Sequence, residues 1–337
     1  MRAFVITGPR ESGVQDVAPP AAGPGQVVVD VERAGVCGTD VEFFTGEMAY
    51  LGDGQARFPV RIGHEWCGTV SAVGGGVDPA WLGRRTTGDT MLGCGRCHRC
   101  LTGRQHVCHD RFEIGVRRGW PGALAEQMPV PAAALHPLPD SVDQVAGALV
   151  EPGGSALRAV QAAGLASGDR VLVLGPGTIG LLVSLFALSA GAEVHLLGLS
   201  AQSMEFGRRL GVHGTWTASE LPDLAFDAVI DCSTAAALPG LAADIVEPGK
   251  RVVYIGLAST PSLVDTRTMV LKDITAVGIL SASPGLAATI EHYASGSVDP
   301  TPLVCATVGL SEVADVLAGW RPAGAGPGPK VHVDPRR

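Results

Sequence analysis

Four cysteines fall within fifteen residues, in the pattern Cys94-x2-Cys97-x2-Cys100-x7-Cys108. Thiolates this close together suit a tetrahedral Zn²⁺ with no open coordination position, which is a structural site. Two other chemistries share part of the pattern. The first three cysteines match the start of a bacterial iron–sulfur run, although the fourth comes after seven residues and is followed by His109 instead of proline. The stretch is also locally basic, with Arg96, Arg99, Arg104, Arg111, Arg117 and Arg118 against Asp110 and Glu113, as a nucleic-acid zinc module would be. One absorption spectrum separates iron–sulfur from zinc.

A second group is more widely spaced. Cys37-Gly38-Thr39-Asp40 follows a β-run, and Gly63-His64-Glu65 comes about 27 residues later. Cys, His and Glu are all zinc-ligand types, and three protein ligands plus an open position make a catalytic metal site. Alone, a buried Cys is ordinary packing and a His-Glu pair an ordinary surface feature. Their presence ahead of a nucleotide-binding pattern gives them weight.

That pattern is Gly175-Pro176-Gly177-Thr178-Ile179-Gly180, with G-x-G-x-x-G spacing after an apolar run and at the start of a helical one. The first Gly makes the tight turn, the second lets the backbone approach a pyrophosphate, and the third allows close helix–strand packing. The helix N-terminus then faces the phosphates. An acid about 20 residues further on would hold a ribose 2′-hydroxyl and select NAD. No acid lies between 194 and 204. Gly198 leaves room for a 2′-phosphate and Ser200 could bond it, so the reading leans towards NADP over NAD. Arg208 and Arg209 stand one helix further on.

The elements that must position these groups change character along the chain. Residues before about 140 read as short β-runs broken by Gly and Pro, among them Val27–Glu32, Gly68–Val73 and Leu124–Val130. Strand and helix then alternate. Val171–Leu174, Glu193–Leu197, Phe226–Cys232, Arg251–Gly256 and Ile274–Leu280 are strands, and Ile179–Ala190 and Ala201–Leu210 helices. Fully apolar strands between helices imply a parallel sheet covered on both faces. Helices at Leu286–Tyr293 and Leu310–Leu317 and a last β-run at Lys330–Val333 close the chain.

Length and composition exclude several classes. The chain of 337 residues is long enough for about two domains. With 46% hydrophobic and 17% charged residues it is not a disordered chain. A net charge of −8 argues against nucleic-acid and membrane-surface partners. Eight cysteines are too sparse for a secreted disulfide scaffold of this length. Met1–Ile6 has no signal-peptide character, so a cytoplasmic protein with reduced thiols is expected. Residues 171–192 carry no charge and could span a bilayer by length. Gly175-Pro176-Gly177 would break such a helix, so a buried strand and helix are expected.

Taken together, these residues resemble the zinc-dependent medium-chain dehydrogenases of the alcohol dehydrogenase superfamily, over essentially the whole chain. Gly63-His64-Glu65-x2-Gly68-x5-Gly74-x2-Val77 matches that family's zinc signature, and the Cys94–Cys108 spacing its structural-zinc lobe. Val150-Glu151-Pro152 looks like the start of the cofactor domain in the polyol (sorbitol) dehydrogenase branch. Lys330–Pro335 resembles the terminal strand.

The resemblance implies an α/β fold: a Rossmann doubly wound parallel sheet plus a mainly β GroES-like catalytic domain carrying the zinc lobe. The expected division is 1–149 for the catalytic domain (lobe about 90–112), 150–283 for the Rossmann domain, and 284–337 for a segment returning to the catalytic domain. Two zinc ions per chain are implied. Cys94, Cys97, Cys100 and Cys108 would hold the structural one. Cys37 and His64 would bind the catalytic one, with Glu65 as third ligand or close neighbour and Glu151 as a ligand directly or through water. Thr39 would take the alcohol proton and Asp40 would orient His64. Gly175, Gly177, Thr178, Ile179, Gly180, Gly198, Ser200, Gly256 and Leu280 would contact the nicotinamide cofactor.

The implied reaction is hydride transfer between a secondary alcohol (polyol, sugar or cyclitol) and NAD(P), giving a ketone, or the reverse. The alternatives are a threonine or simple secondary-alcohol dehydrogenase, and a non-catalytic NADP-binding protein. The implied partners are a small alcohol or ketone and further copies of the chain, as homodimer or homotetramer, with no nucleic acid or membrane. Some positions depart from the family. Val41-Glu42-Phe43-Phe44 replaces a proton-relay His, so the relay would end in water or Glu42. Gly153 and Gly154 replace bulk, which would open space near the metal. Tyr50, Trp66 and Trp120 are candidates for the substrate pocket or for packing. Cys67, Cys232 and Cys305 have no assigned task.

Overall fold

The computed structural model describes the chain from Met1 to Arg337. Its N-terminal sheet is built on strand β1 (Gln26–Gly35), whose Val27, Val28, Val29 and Val31 are all buried. A strand apolar on both sides must be covered on both sides, and β1 is central. It pairs antiparallel with β2 (Glu65–Val73) along one edge. Beyond β2 come β3 (Arg85–Gly88) and then β5 (Leu135–Pro137). Strand β4 (Gln127–Pro131) lies on the other edge of β1. Leu124 and Ala125, expected in a strand with Val130, lie ahead of β4. The Leu124 carbonyl instead accepts from Phe4 N–H at 2.8 Å.

The middle of the chain forms a second sheet, entirely parallel. In chain order its strands are β6 (Arg170–Leu174), β7 (Glu193–Leu197), β8 (Gly214–Trp216), β9 (Phe226–Asp231), β10 (Val246–Tyr254) and β11 (Thr275–Gly278). Their spatial order is β8-β7-β6-β9-β10-β11. This is the doubly wound 3-2-1-4-5-6 order of the Rossmann fold. Successive β6 residues serve opposite faces, as a pleated strand requires. Val171 and Val173 join one apolar core, Leu172 and Leu174 another. The uncharged 171–192 stretch is β6 followed by helix, and no helix is long and apolar enough to cross a membrane.

Five helices position the site. These are α1 (Gly38–Thr45), α2 (Val150–Ala163), α3 (Thr178–Ser189), α4 (Ala201–Arg209) and α5 (Leu286–Ala294). The sequence reading assigned neither α1 nor α2. Gly153 and Gly154 on α2 do not open space. A Cβ at Gly153 would come within 2.2 Å of the Tyr293 hydroxyl, and one at Gly154 within 2.9 Å of the Ala282 side chain. These glycines let α2 sit tightly against α5 and the segment before it.

Leu286, Ile290 and Tyr293 of α5 pack into the core under the parallel sheet. The chain then rejoins the first sheet through β12 (Val304–Val308) and β13 (Lys330–Val333). β13 pairs antiparallel with the end of β1, His332 opposite Gly35 and Val333 opposite Ala34. That pairing carries Lys330 to the place where β1 meets β2. The 310–317 stretch is a 3-10 turn at Leu310–Glu312 followed by a short α-helix at Val313–Leu317.

Candidate active site and cofactor cleft

Cys37 caps the N-terminus of α1, in extended conformation. His64 and Glu65 stand where the chain enters β2. Donor atoms of Cys37, His64 and Glu65 all lie within 4.8 Å of one another. One buried carboxylate ties the two segments together. Asp40 Oδ2 accepts from Cys37 N–H at 2.9 Å, and its Oδ1 from Gly63 N–H at 3.2 Å. Asp40 Oδ1 is 3.8 Å from His64 Nδ1, which is buried without a partner. That is beyond hydrogen-bond range. Asp40 therefore clamps the backbone that carries the ligands. Gly63 has φ +101, and a Cβ there would strike Leu124 N at 2.7 Å, so only glycine turns the chain into β2 at this point.

Glu65 has a partner that sequence reading missed. Lys330 Nζ donates to both its carboxylate oxygens, at 2.8 and 2.7 Å, and to the Val36 carbonyl at 2.9 Å. Both side chains are buried. Gly35, opposite Glu65 in the β1–β2 register, makes the room: a Cβ there would fall 2.1 Å from Glu65 Oε2. The pair lies 265 residues apart in sequence, and no local spacing announces it.

Burial and neighbouring charges set the electrostatics. Burial depresses the His64 ring, but the Cys37 contact and the Cys37, Asp40 and Glu151 charges outweigh it and hold it well above its ordinary value. Glu151 stands in the first turn of α2, outside the close donor group. Burial pushes its carboxyl up to about 7, with His64 pulling down and Glu65 pushing up. The Lys330 ammonium, disfavoured by burial, is held above its usual range by the Glu65 charge. Thr39 is half-buried in the first turn of α1.

The four lobe cysteines converge as their spacing implies. Their sulfurs lie 3.9 Å (Cys94–Cys100), 3.6 Å (Cys97–Cys100) and 3.8 Å (Cys97–Cys108) apart. Tetrahedral zinc with Zn–S of about 2.3 Å requires S···S separations of about 3.8 Å, so the set fits. Backbone N–H groups of Arg96 and Cys97 hold the Cys94 thiol down to about 6, whereas burial and the other sulfurs push Cys100 up to about 12. Four mutually repelling thiolates need a cation among them. A Cβ at Gly93 would come within 2.6 Å of Cys100 Sγ, so the lobe closes only over glycine there. Of the nearby arginines, Arg111 bonds Glu113 and Tyr50, and Arg117 bonds Gln55, so these two tie the lobe to the body of the protein.

The glycine turn occupies the switch point between β6 and β9, where open α/β sheets bind ligands. Gly175 has φ +99, and Gly177 caps α3, whose first residues are Thr178 and Ile179. A Cβ at Gly180 would lie 1.8 Å from the Gly175 carbonyl, so the third glycine is obligatory. Gly256 is equally constrained, against the Ser233 carbonyl at 1.8 Å. A cleft of about 510 Å³ opens here, lined by Gly175, Gly177, Gly198, Ser200 and Cys232 among others. Gly198 is not simply open space, since a Cβ there would meet Pro176 at 2.8 Å. Ser200 Oγ already accepts from Ser203 N–H, capping α4, and pairs with Ser203 Oγ at 2.7 Å. Leu280 is half-exposed after β11, its carbonyl bonded by Arg158.

Trp66 is fully buried in the N-terminal core, Tyr50 donates to Glu113, and Trp120 to the Pro129 carbonyl. Cys67 is a core thiol against the Gln144 carbonyl, pushed up to about 12 by burial.

A nucleotide-binding Rossmann sheet joined to a mainly β unit with one open and one closed metal-donor set defines a zinc-type dehydrogenase. Residues 23–140 match the alcohol dehydrogenase GroES-like domain. The chain is 30% identical over 318 residues to 2-dehydro-3-deoxy-L-galactonate 5-dehydrogenase of Pseudoalteromonas atlantica, covering 90% of this chain and 89% of that one. It is 27% identical over 350 residues to L-threonine 3-dehydrogenase of Rhizobium johnstonii, covering 99% and 98%. A zinc-binding dehydrogenase of Sinorhizobium meliloti, solved bound to NADP, superposes with TM-score 0.89 at 28% identity over 99% of both chains. The chain belongs to the medium-chain dehydrogenase/reductase superfamily, in its zinc-type alcohol and polyol dehydrogenase group.

Proposed function

We propose that this protein transfers a hydride between a secondary alcohol of a polyol, sugar or cyclitol and a nicotinamide cofactor, forming a ketone or running in reverse. The observation that carries this reading is the Cys37–His64–Glu65 donor group in the same chain as a glycine turn at a Rossmann switch point. Cys37 and His64 hold the catalytic zinc, with Glu65 and Glu151 beside it. Cys94, Cys97, Cys100 and Cys108 hold the structural zinc. Bound zinc would supply a positive charge that stabilises negative charge on the substrate oxygen.

The chain's own residues do the rest. Asp40 fixes the spacing of Cys37 and His64 through their backbone. Lys330 holds both oxygens of the Glu65 carboxylate, and Glu151 would stand beside the metal. Thr39, in the first turn of α1, takes the alcohol proton and passes its own hydroxyl proton on to water or Glu42. Gly175, Gly177, Thr178, Ile179 and Gly180 seat the cofactor's pyrophosphate, with Gly198, Ser200, Gly256 and Leu280 around the rest. The division 1–149, 150–283 and 284–337 is proposed for the domains, with α5 packed on the nucleotide-binding part.

A second reading, oxidation of threonine, draws support from relatives that bear that name. Nicotinamide reduction across a panel of polyols, sugars, cyclitols and L-threonine, with NAD and NADP in parallel, tests both. Turnover of a polyol or sugar supports the first reading. Turnover of threonine alone replaces it with the second. No turnover on any alcohol, with cofactor bound, would leave a non-catalytic binder.

A further inference from the structure

The nucleotide cleft carries no charged side chain along its lining. A second cavity of about 390 Å³ adjoins it and shares Pro176, Ser200 and Ser203 with it. Its far wall is the loop that returns the chain to the first sheet, and its one charged side chain is Arg321. The loop is pinned: Gly326 N–H donates to the Cys305 carbonyl at 2.9 Å, and a Cβ at Gly328 would fall 2.2 Å from the Leu303 carbonyl. The Arg321 guanidinium lies by the Cys305 thiol and donates to the Trp320 carbonyl at 3.0 Å, with no carboxylate paired to it. Arg208 and Arg209, the cations close in sequence to Ser200, are both paired with Glu205.

Resting on the dinucleotide-binding reading above, we propose that Arg321 is the residue that selects a 2′-phosphorylated cofactor. In a Rossmann fold the adenosine ribose lies at the end of the second strand, here β7, and an arginine nearby accommodates a 2′-phosphate. The end of β7 runs into Gly198 and Ser200, at the junction of the two cavities. The missing acid leaves that place neutral. Arg321, 121 residues beyond Ser200 in sequence, supplies the charge from the wall of the adjoining cavity. A planar guanidinium can offer two parallel N–H donors to a phosphate. Ser203, which lines both cavities, adds a hydroxyl.

The test is calorimetric titration of the full chain with adenosine 2′,5′-bisphosphate and with 5′-AMP, which needs no turnover. The wild type should bind the bisphosphate more tightly. Arg321→Leu should weaken the bisphosphate by about tenfold or more and leave 5′-AMP unchanged, while Arg321→Lys keeps part of the difference. Arg208→Leu should alter neither. Equal affinities in the wild type, or an Arg321→Leu variant that keeps the preference, would overturn the assignment while the cofactor cleft stands. Failure of the wild type to bind either nucleotide would overturn the assignment together with the cleft itself.

Discussion

Lys330 is the side chain on which the open metal-donor group most visibly depends. Its ammonium neutralises Glu65 in a place from which water is excluded, and the two are 3% and 2% exposed. Removing one member of a buried pair leaves the other charge unpaired, at a cost of about 3–5 kcal/mol. Lys330→Met is therefore expected to lower the denaturant midpoint strongly, and adding Glu65→Gln should recover part of the loss. A single variant of wild-type stability would show that Glu65 is not held this way. Sequence made the lobe cysteines legible because metal ligands recur at short spacing, and Cys37 and His64 because they precede a nucleotide-binding pattern. It left Lys330 and Arg321 without a task because each meets its partners only after the chain has crossed the molecule twice. Gly153 was misread for a related reason. Loss of bulk looks like space until the opposing Tyr293 hydroxyl is in place.

Among the elements, β13 has its own pH signature. His332 is fully buried between Lys330 and Val333, and neither ring nitrogen has a partner. Burial, with the Lys330 and Arg33 charges, holds its ring down to about 3. In the unfolded chain the same ring takes a proton near about 6.5. Between those values the unfolded state binds more protons, so stability is lost as pH falls from about 6.5 towards 3. Melting temperature against pH should fall less steeply in His332→Leu than in the wild type over that window. Parallel slopes would contradict a neutral buried ring. The parallel sheet was largely legible from apolar runs such as Val171–Leu174, although β8 went unread. Helix α2 was not. Its Glu-Pro-Gly-Gly opening reads as a breaker locally, and the helix is seen only where it packs against α3 and α5.

At the scale of the whole molecule, the outer edge of the parallel sheet is unusually apolar. β11 is the last strand in the order, and Leu263, Val270 and Leu271 before it are 92, 78 and 85% exposed. An open strand edge beside exposed leucines and valines invites a second copy of the chain. The homo-oligomer proposed from family resemblance would then use this edge. Val270→Glu with Leu271→Glu should convert it to monomers in sedimentation velocity without lowering the melting temperature of the fold. An oligomer that survives both substitutions would place the interface elsewhere. The acidic net charge of −8 accords with a small-molecule enzyme, and the structure shows that Arg111 and Arg117 in the basic stretch are engaged internally.

The central claim is that one chain carries two zinc ions with different tasks, one behind four cysteines and one held by Cys37 and His64. Metal content of the purified wild type and of Cys37→Ala tests it most directly. The account predicts two zinc ions per wild-type chain and one in Cys37→Ala, with turnover lost and the fold intact. One zinc per wild-type chain, or an active Cys37→Ala variant, would contradict it.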